Sequence, residues 1–397
     1  MHSAAGSNPT RTIVFLAIAC FASAVSLRAP DPILPEIAKS FGTTPGVVAQ
    51  IVTFFGIAYG AAQFGYGFAG ERFGKLQTMI AATFLSAATA WVCAFATSLN
   101  FLIVARVGAG IAAAAIIPLA MAWIGDAVPY ERRQSVLARF LSGQISGLVL
   151  GQAFGGIIAE HLGWRWVFVM LAVLFFVGGS ALTYEFLTGK RAEIPHPAPE
   201  PALFRLRSML GRAWVVTVLV AVFFEAMIFF GAFTFVGSEL WARFGIGFDA
   251  IGLIVAGFGV GGLLYAASAG RLLPRLGEGG LVIGGGIVAA LAFCLIAVAP
   301  APWLVAPATI AAGFGYYMLH NTLQTNATQM APEARGIALG IFASSLFLGQ
   351  AIGVAVAAPI FDYTGGAPIF LGAAIFLVIL AVVYRVRTAR YASFAGG

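Results

Sequence analysis

Charge is what this sequence has least of. Asp, Glu, Lys and Arg together make up 9% of its 397 residues, whereas 60% are hydrophobic and mean hydropathy is +0.96. A soluble domain carries about 25% charged residues, so a water-exposed globule is excluded. Histidine is scarce too: His2, His161, His196 and His320 are scattered, with no His-x-x-x-His spacing. That leaves a membrane enzyme without a convergent nucleophile or metal set. The three cysteines, Cys20, Cys93 and Cys294, lie in apolar runs without metal-ligand spacing and read as small buried hydrophobes. No dense basic stripe stands behind the net charge of +7, so a nucleic-acid partner is not expected. The alternating apolar strands of a membrane barrel are missing as well, and lipid tolerates no unpaired backbone, so spans must be helices.

What is present is a series of apolar runs of about twenty residues, the length that crosses a ~30 Å hydrocarbon core. They fall near 12–34, 46–69, 78–97, 101–124, 135–158, 165–187, 213–236, 248–270, 280–298, 303–327, 337–360 and 367–386. The expectation is an all-α membrane protein with twelve transmembrane helices. Arg11 followed by "TIVFLAIACFASA" has the outline of a cleaved signal. Cleavage would leave an odd number of spans and invert every later loop, so this run is read as the first span. With the N-terminus inside, the inner loops and tails collect Arg72, Lys75, Arg132, Arg133, Arg271, Arg275, Arg335 and Arg385, while the outer loops hold little beyond Lys39, Arg165 and Arg243. This bias predicts a multi-pass protein of the inner (plasma) membrane with both termini cytoplasmic.

The longest polar break, "TGKRAEIPHPAPEPALFRLRSMLGR" over 188–212, reads as an irregular cytoplasmic linker. It divides the chain into an N-terminal six-helix bundle (1–187) and a C-terminal six-helix bundle with a short tail (213–397). The halves repeat each other. "GFAGERFGK" (67–75) returns as "GRLLPRLGE" (270–278), "PYERR" (129–133) as "PEARG" (332–336), and "GQAFG" (151–155) as "GQAIG" (349–353). Three echoes in one order, at nearly one offset of about 203 residues, indicate two pseudo-symmetric bundles. Such repeats flank a substrate path at the bilayer midplane.

On these motifs the chain resembles the major facilitator superfamily, over essentially its whole length. "GFAGERFGK" is similar to that family's loop signature between spans 2 and 3: Gly67, Arg72, Gly74 and Lys75 match, with Glu71 in place of the usual Asp and Ala69 in place of the usual Leu. "RVGAGIAAA" (106–114) resembles its span 4 motif. "GLVLGQAFGG" (147–156) resembles the span 5 signature of drug:proton antiporters through Gly147, Gly151, Gly155 and Gly156, while Gln152 stands where a proline belongs. "GWRWVF" (163–168) also resembles a stretch of such antiporters. The resemblance implies the twelve-helix fold of that superfamily. It also implies that Glu71 and Arg72 latch the inner loop against the other half.

An ionisable side chain at mid-helix costs about 2.5–3.5 kcal/mol by insertion scales, so each such residue asks for a partner or a watery cavity. Four places qualify: Arg28 with Asp31, Arg106, Glu225, and His320 with Asn321 and Gln324. At a rise of ~1.5 Å per residue, Arg28, Asp31, Arg106 and Glu225 are expected in the outer half of the membrane and His320 close to the cytoplasmic end. Each also has a plainer reading: Arg28 snorkelling to the interface, Asp31 bracketing the proline break, Arg106 tying spans 1 and 4, His320 simply packed. Glycines 143–156 permit close helix approach with or without an antiporter role. Phe54, Phe55, Tyr59, Phe229, Phe230, Tyr316 and Tyr317 are candidate stacking surfaces for a flat ligand.

The expected function is secondary transport by alternating access: proton-coupled efflux of small organic or drug-like molecules, without a cofactor, by a chain that works as a monomer. Asp31 and Glu225 are the candidate proton carriers, the resemblance favouring Asp31 in particular. Arg28, Arg106, His320, Asn321, Gln324, Tyr59 and Tyr316 are candidate cavity residues. The alternative within transporters is an organic-anion carrier, with Arg28 and Arg106 clamping a carboxylate. A channel fits duplicated halves less well, and a non-transporting receptor or scaffold is expected to add a soluble domain.

Overall fold

Prolines set where the first helix stops. In the computed structural model, which describes residues 9–128, 130–188, 209–331 and 335–395, α1 (Pro9–Arg28) makes its last regular bond from Ala29 N to Val25 O. Pro30 and Pro32 follow, and proline can neither donate to the helical ladder nor clear the carbonyl four residues back. A single 3₁₀ turn at Asp31–Ile33 carries the chain into α2 (Leu34–Phe41), which ends on Gly42 in the left-handed conformation. What reads as one span in sequence is thus two helices joined by a buried turn. Span 4 breaks in the same way, into α6 (Leu99–Ala113) and α7 (Ile116–Ala127), four residues before Pro118. Span 7 breaks into α10 (Ala213–Phe233) and α11 (Val236–Phe244) without a proline, through a tight bond from Phe235 N to Ala232 O.

The other spans are continuous. A short α3 (Pro45–Val48) leads into α4 (Gln50–Phe73), and α5 (Lys75–Ala94), α8 (Tyr130–Leu162) and α9 (Trp164–Thr188) complete the first half. In the second half α12 (Phe248–Val298) contains spans 8 and 9, with only Gly277 leaving helical geometry (φ 64°, ψ 173°), and α13 (Pro302–Gln329), α14 (Arg335–Thr364) and α15 (Ala367–Ala395) follow. Ten segments of the described residues are long and apolar enough to cross a membrane. Dividing α12 at Gly277 and adding α13, which is diluted by His320, Asn321, Gln324 and Asn326, gives the twelve expected. No strand occurs among the described residues.

The repeat is written into the turns. Among the described residues six glycines have positive φ, and they form three pairs about 203 residues apart: Gly42 with Gly245, Gly74 with Gly277, and Gly163 with Gly365. Left-handed backbone is nearly reserved for glycine, so these positions could not drift freely as the halves diverged. Within the "PYERR"/"PEARG" echo, residues 129 and 332–334 lie outside the described residues, as does most of the linker (189–208).

The halves meet along two seams, α4 against α14 and α8 against α12. Both are tight towards the end remote from the termini. A methyl placed on Gly56 would lie 3.2 Å from Ala351 Cβ, and one on Gly156 2.9 Å from Gly252 Cα. Towards the terminus-bearing end the seams part: a methyl on Gly67, Gly270 or Gly340 would meet nothing within 4 Å. The molecule is closed at its far end and open at the end that carries the termini.

Candidate functional site

The break in α1 turns its last residue, Arg28, towards the middle of the molecule. Arg28 Nη1 donates to Asp31 Oδ2 at 3.1 Å and Nη2 to Gln350 Oε1 of α14 at 2.9 Å, and its guanidinium lies 3.8 Å from the centre of the Phe230 ring. Its side chain is 5% exposed and that of Asp31 1%. Snorkelling is therefore ruled out in this conformation, because the arginine points across the inter-half seam. Asp31 keeps its second oxygen, Oδ1, without a partner.

Arg106 on α6 is equally buried. It makes long hydrogen bonds to the carbonyls of Ile51 (3.4 Å) and Ser26 (3.5 Å) and lies 3.9 Å over the ring of Phe55. Ser26 belongs to the last turn of α1, whose carbonyls lose their helical donors at the break. A cation there satisfies the orphan oxygen and the negative end of the helix dipole together. Arg106 thus ties span 4 to the broken span 1, and Phe55 connects it to Tyr59, with ring centroids 5.8 Å apart.

In the other half, Glu225 of α10 is completely buried and pairs with His320 Nδ1 of α13 at 2.8 Å, while its Oε1 has no partner. This corrects the depth estimate that set the two apart. α13 is 28 residues long, about 42 Å at 1.5 Å per residue and longer than a ~30 Å hydrocarbon core, so counting depth from its first residue misplaces His320, which lies beside Glu225. His320 stacks on Tyr316 (5.0 Å, 10°), Tyr316 contacts Phe230 (5.0 Å), and Phe230 carries Arg28. A continuous file therefore links Asp31, Arg28, Phe230, Tyr316, His320 and Glu225 across the two halves.

Other expected residues fall elsewhere. Asn321 is exposed and turns to Tyr265 Oη of α12 at 3.5 Å, Gln324 is half-buried, and Phe54 is 40% exposed on the outer surface. Glu71 and Arg72 are exposed at the parted end, and neither makes an ion pair among the described residues, so the latch implied by the resemblance is not engaged here. Lys75 pairs instead with Asp126 of α7, in its own half. Gly147 and Gly151 lie against Phe21 and Val25 of α1, Gly155 against Ala29 just beyond it, and Gly156 faces α12. Gln152 is wholly buried with both amide atoms unpartnered.

Gln350 does not stand out in the sequence as a site residue, although the "GQAIG" echo marks its position. Also unforeseen is Glu185, buried at the terminus-bearing end of α9 and held by Arg11 Nε and Thr12 Oγ1, each at 2.7 Å. Two surface grooves, one between α5 and α9 and one between α4 and α6, are lined by aliphatic and aromatic side chains alone and lie outside this file.

Comparison with known proteins bears on what such a file belongs to. The family model described as Major Facilitator Superfamily matches residues 16–334 and 235–396. An uncharacterized MFS-type transporter, YwfA, from Bacillus subtilis is 25% identical over 91% of this chain and 88% of its own. A chloramphenicol resistance protein from Streptomyces lividans is 25% identical over 95% and 96%. The crystal structure of a bacterial homologue of the human lysosomal transporter Spinster superposes with a TM-score of 0.74 at 17% identity, over 96% of this chain and 97% of that one.

Proposed function

The chain belongs to the major facilitator superfamily, and from that premise we propose that this membrane transporter exports small organic, drug-like molecules in exchange for protons. The observation that carries the proposal is the matched state of two buried carboxylates, one in each half. Asp31 gives one oxygen to Arg28 and Glu225 gives one to His320, and in both the second oxygen is unpartnered. Burial and an adjacent cation act on a carboxylate in opposite directions, so a rearrangement that separates carboxylate from partner moves its proton. Both contacts lie between or beside elements that rocking would shift: Arg28 also bonds Gln350 of the opposite half. Loss of that bond frees Arg28 relative to Asp31, and through the Phe230–Tyr316 contact it disturbs His320.

Export rather than uptake is supported by the likeness to a chloramphenicol resistance protein over nearly the whole chain. The anion-carrier reading is weakened by geometry. Arg28 is occupied by Asp31, Gln350 and Phe230, and Arg106 by two carbonyls and Phe55, so neither offers a free fork to a carboxylate. The parted end, rich in Arg72, Lys75, Arg271, Arg275 and Arg385, is assigned to the cytoplasm of the cell membrane.

Efflux into everted vesicles under an imposed pH gradient tests this. Asp31→Asn and Glu225→Gln are each expected to lose uphill transport of a screened drug-like substrate while retaining downhill exchange. Wild-type uphill transport by both variants overturns the proton-carrier assignment.

A further inference from the structure

Four carboxylates at the far end each accept a hydrogen bond from a backbone amide at the start of another helix. Glu36 Oε1 takes Trp164 N, first residue of α9, at 3.0 Å, and Glu239 Oε2 takes Gly366 N, just before α15, at 3.0 Å. These two caps lie within the first and second halves respectively. Glu160 Oε2 takes Phe248 N, first residue of α12, at 2.6 Å, and Asp362 Oδ1 takes Gly46 N of α3 at 2.9 Å. These two cross between the halves. Donors and acceptors correspond under the same internal offset of about 203 residues, so the set is one duplicated pattern.

We infer that the far end of the carrier is held shut by a two-point latch, Glu160 on α12 and Asp362 on α3, one crossing from each half. The local caps leave these amides open. Asp249 of α12 turns to Ala250 N, and Thr44 of α3 accepts from Val47 N. Pro45 has no amide to offer, so Gly46 N is the first donor of its helix. Thr44 Oγ1 adds a second bond to Asp362, at 2.5 Å. A carboxylate on helix N-terminal amides is charge-assisted and favoured by the dipole. Both sockets are close-fitting: a methyl on Gly247 would lie 3.2 Å from Glu160 Cδ, and one on Gly46 would run into the Ala358 carbonyl and the Asp362 carboxylate.

Placement makes this a gate. Glu160 closes the α8–α12 seam and Asp362 the α4–α14 seam, on opposite sides of the central file. Opening the far end separates both pairs, whereas parting the terminus-bearing end leaves both intact, as they are here. The inference does not depend on which ion is coupled or on what is carried.

The test is a distance measurement on the full-length protein in nanodiscs. Spin labels go on Lys39→Cys of α2 and Ala242→Cys of α11, both exposed and in different halves, after Cys20, Cys93 and Cys294 are replaced by serine. Losing one helix cap corresponds to about a fivefold change in an equilibrium. Glu160→Ala and Asp362→Ala are each expected to raise the ratio of far-end-open to closed molecules about fivefold. The two together should raise it about twenty-five-fold, because the sites are remote from each other. Glu36→Ala and Glu239→Ala, the same chemistry confined within one half, are expected to leave the distances unchanged. Should the alanine pair fail to fold, Glu160→Gln with Asp362→Asn keeps shape and removes charge, and a smaller shift in the same direction is expected. An unchanged distance distribution in the folded double variant, or an equal shift from the Glu36 and Glu239 variants, overturns the latch.

Discussion

Replacing Arg28 by methionine keeps the length of the side chain and removes its charge, and the cost can be worked from its contacts. Both partners of the Arg28–Asp31 pair are at most 5% exposed, and breaking such a pair by deleting one member costs about 3–5 kcal/mol, since the remaining charge is stranded. The guanidinium also sits on Phe230, a contact of about 0.5–2 kcal/mol, and its loss leaves the Gln350 carbonyl oxygen unpaired, at about 1–3 kcal/mol. These contributions overlap, so the single variant is expected to lose about 4 kcal/mol. Adding Asp31→Asn removes the stranded charge, and the double variant should recover to within about 2 kcal/mol of wild type. Asp31→Asn alone strands the arginine and should cost about 3 kcal/mol, so the coupling energy of the cycle is about 5 kcal/mol, against an average of ~0.6 kcal/mol for neutral hydrogen bonds between helices in a bilayer. Reversible unfolding of the four proteins in mixed micelles measures it. A coupling of ~0.6 kcal/mol or less, or a double variant weaker than Arg28→Met alone, would refute the ion-pair reading.

Three further outcomes are expected from the same unfolding assay. Gly151→Leu drives a side chain into the Val25 backbone, 2.9 Å from where its Cβ would sit, and should cost about 1–3 kcal/mol or more. Gln152→Met removes a buried amide with no partner on either atom and should stabilise the protein by about 1 kcal/mol, so a loss of stability would show an unseen partner. Lys75→Ala breaks a pair whose members are 19% and 33% exposed, and should change stability by less than about 1 kcal/mol.

Residues that act through local rules were readable in advance. Pro30 and Pro32 announced the break after Arg28, and Gly74 and Gly277 announced matching turns, because proline and glycine impose backbone geometry whatever surrounds them. Mid-helix charges were equally legible, since apolar surroundings make them costly. Pairings were not. Sequence placed Glu225 and His320 at different depths because it assumed helices no longer than the membrane is thick, and α13 is longer. Gln350 is uncharged, so nothing in composition sets it apart from a packed neutral side chain, although it stands at the repeat position of Gln152. The break in span 7 lacks a proline and left no local signal.

Gly74 and Gly277 have a mechanical consequence. Each is the single non-helical residue between two membrane-spanning helices: α4 ends at Phe73 and α5 begins at Lys75, and α12 runs through Gly277 without another interruption. A joint of one residue has no slack to take up relative motion. Spans 2 and 3, and likewise spans 8 and 9, are therefore rocker arms with one pin each. A displacement at the α4–α14 or α8–α12 seam reaches the lipid-facing span of the same arm undamped, and a reporter on α5 reads the movement of α4.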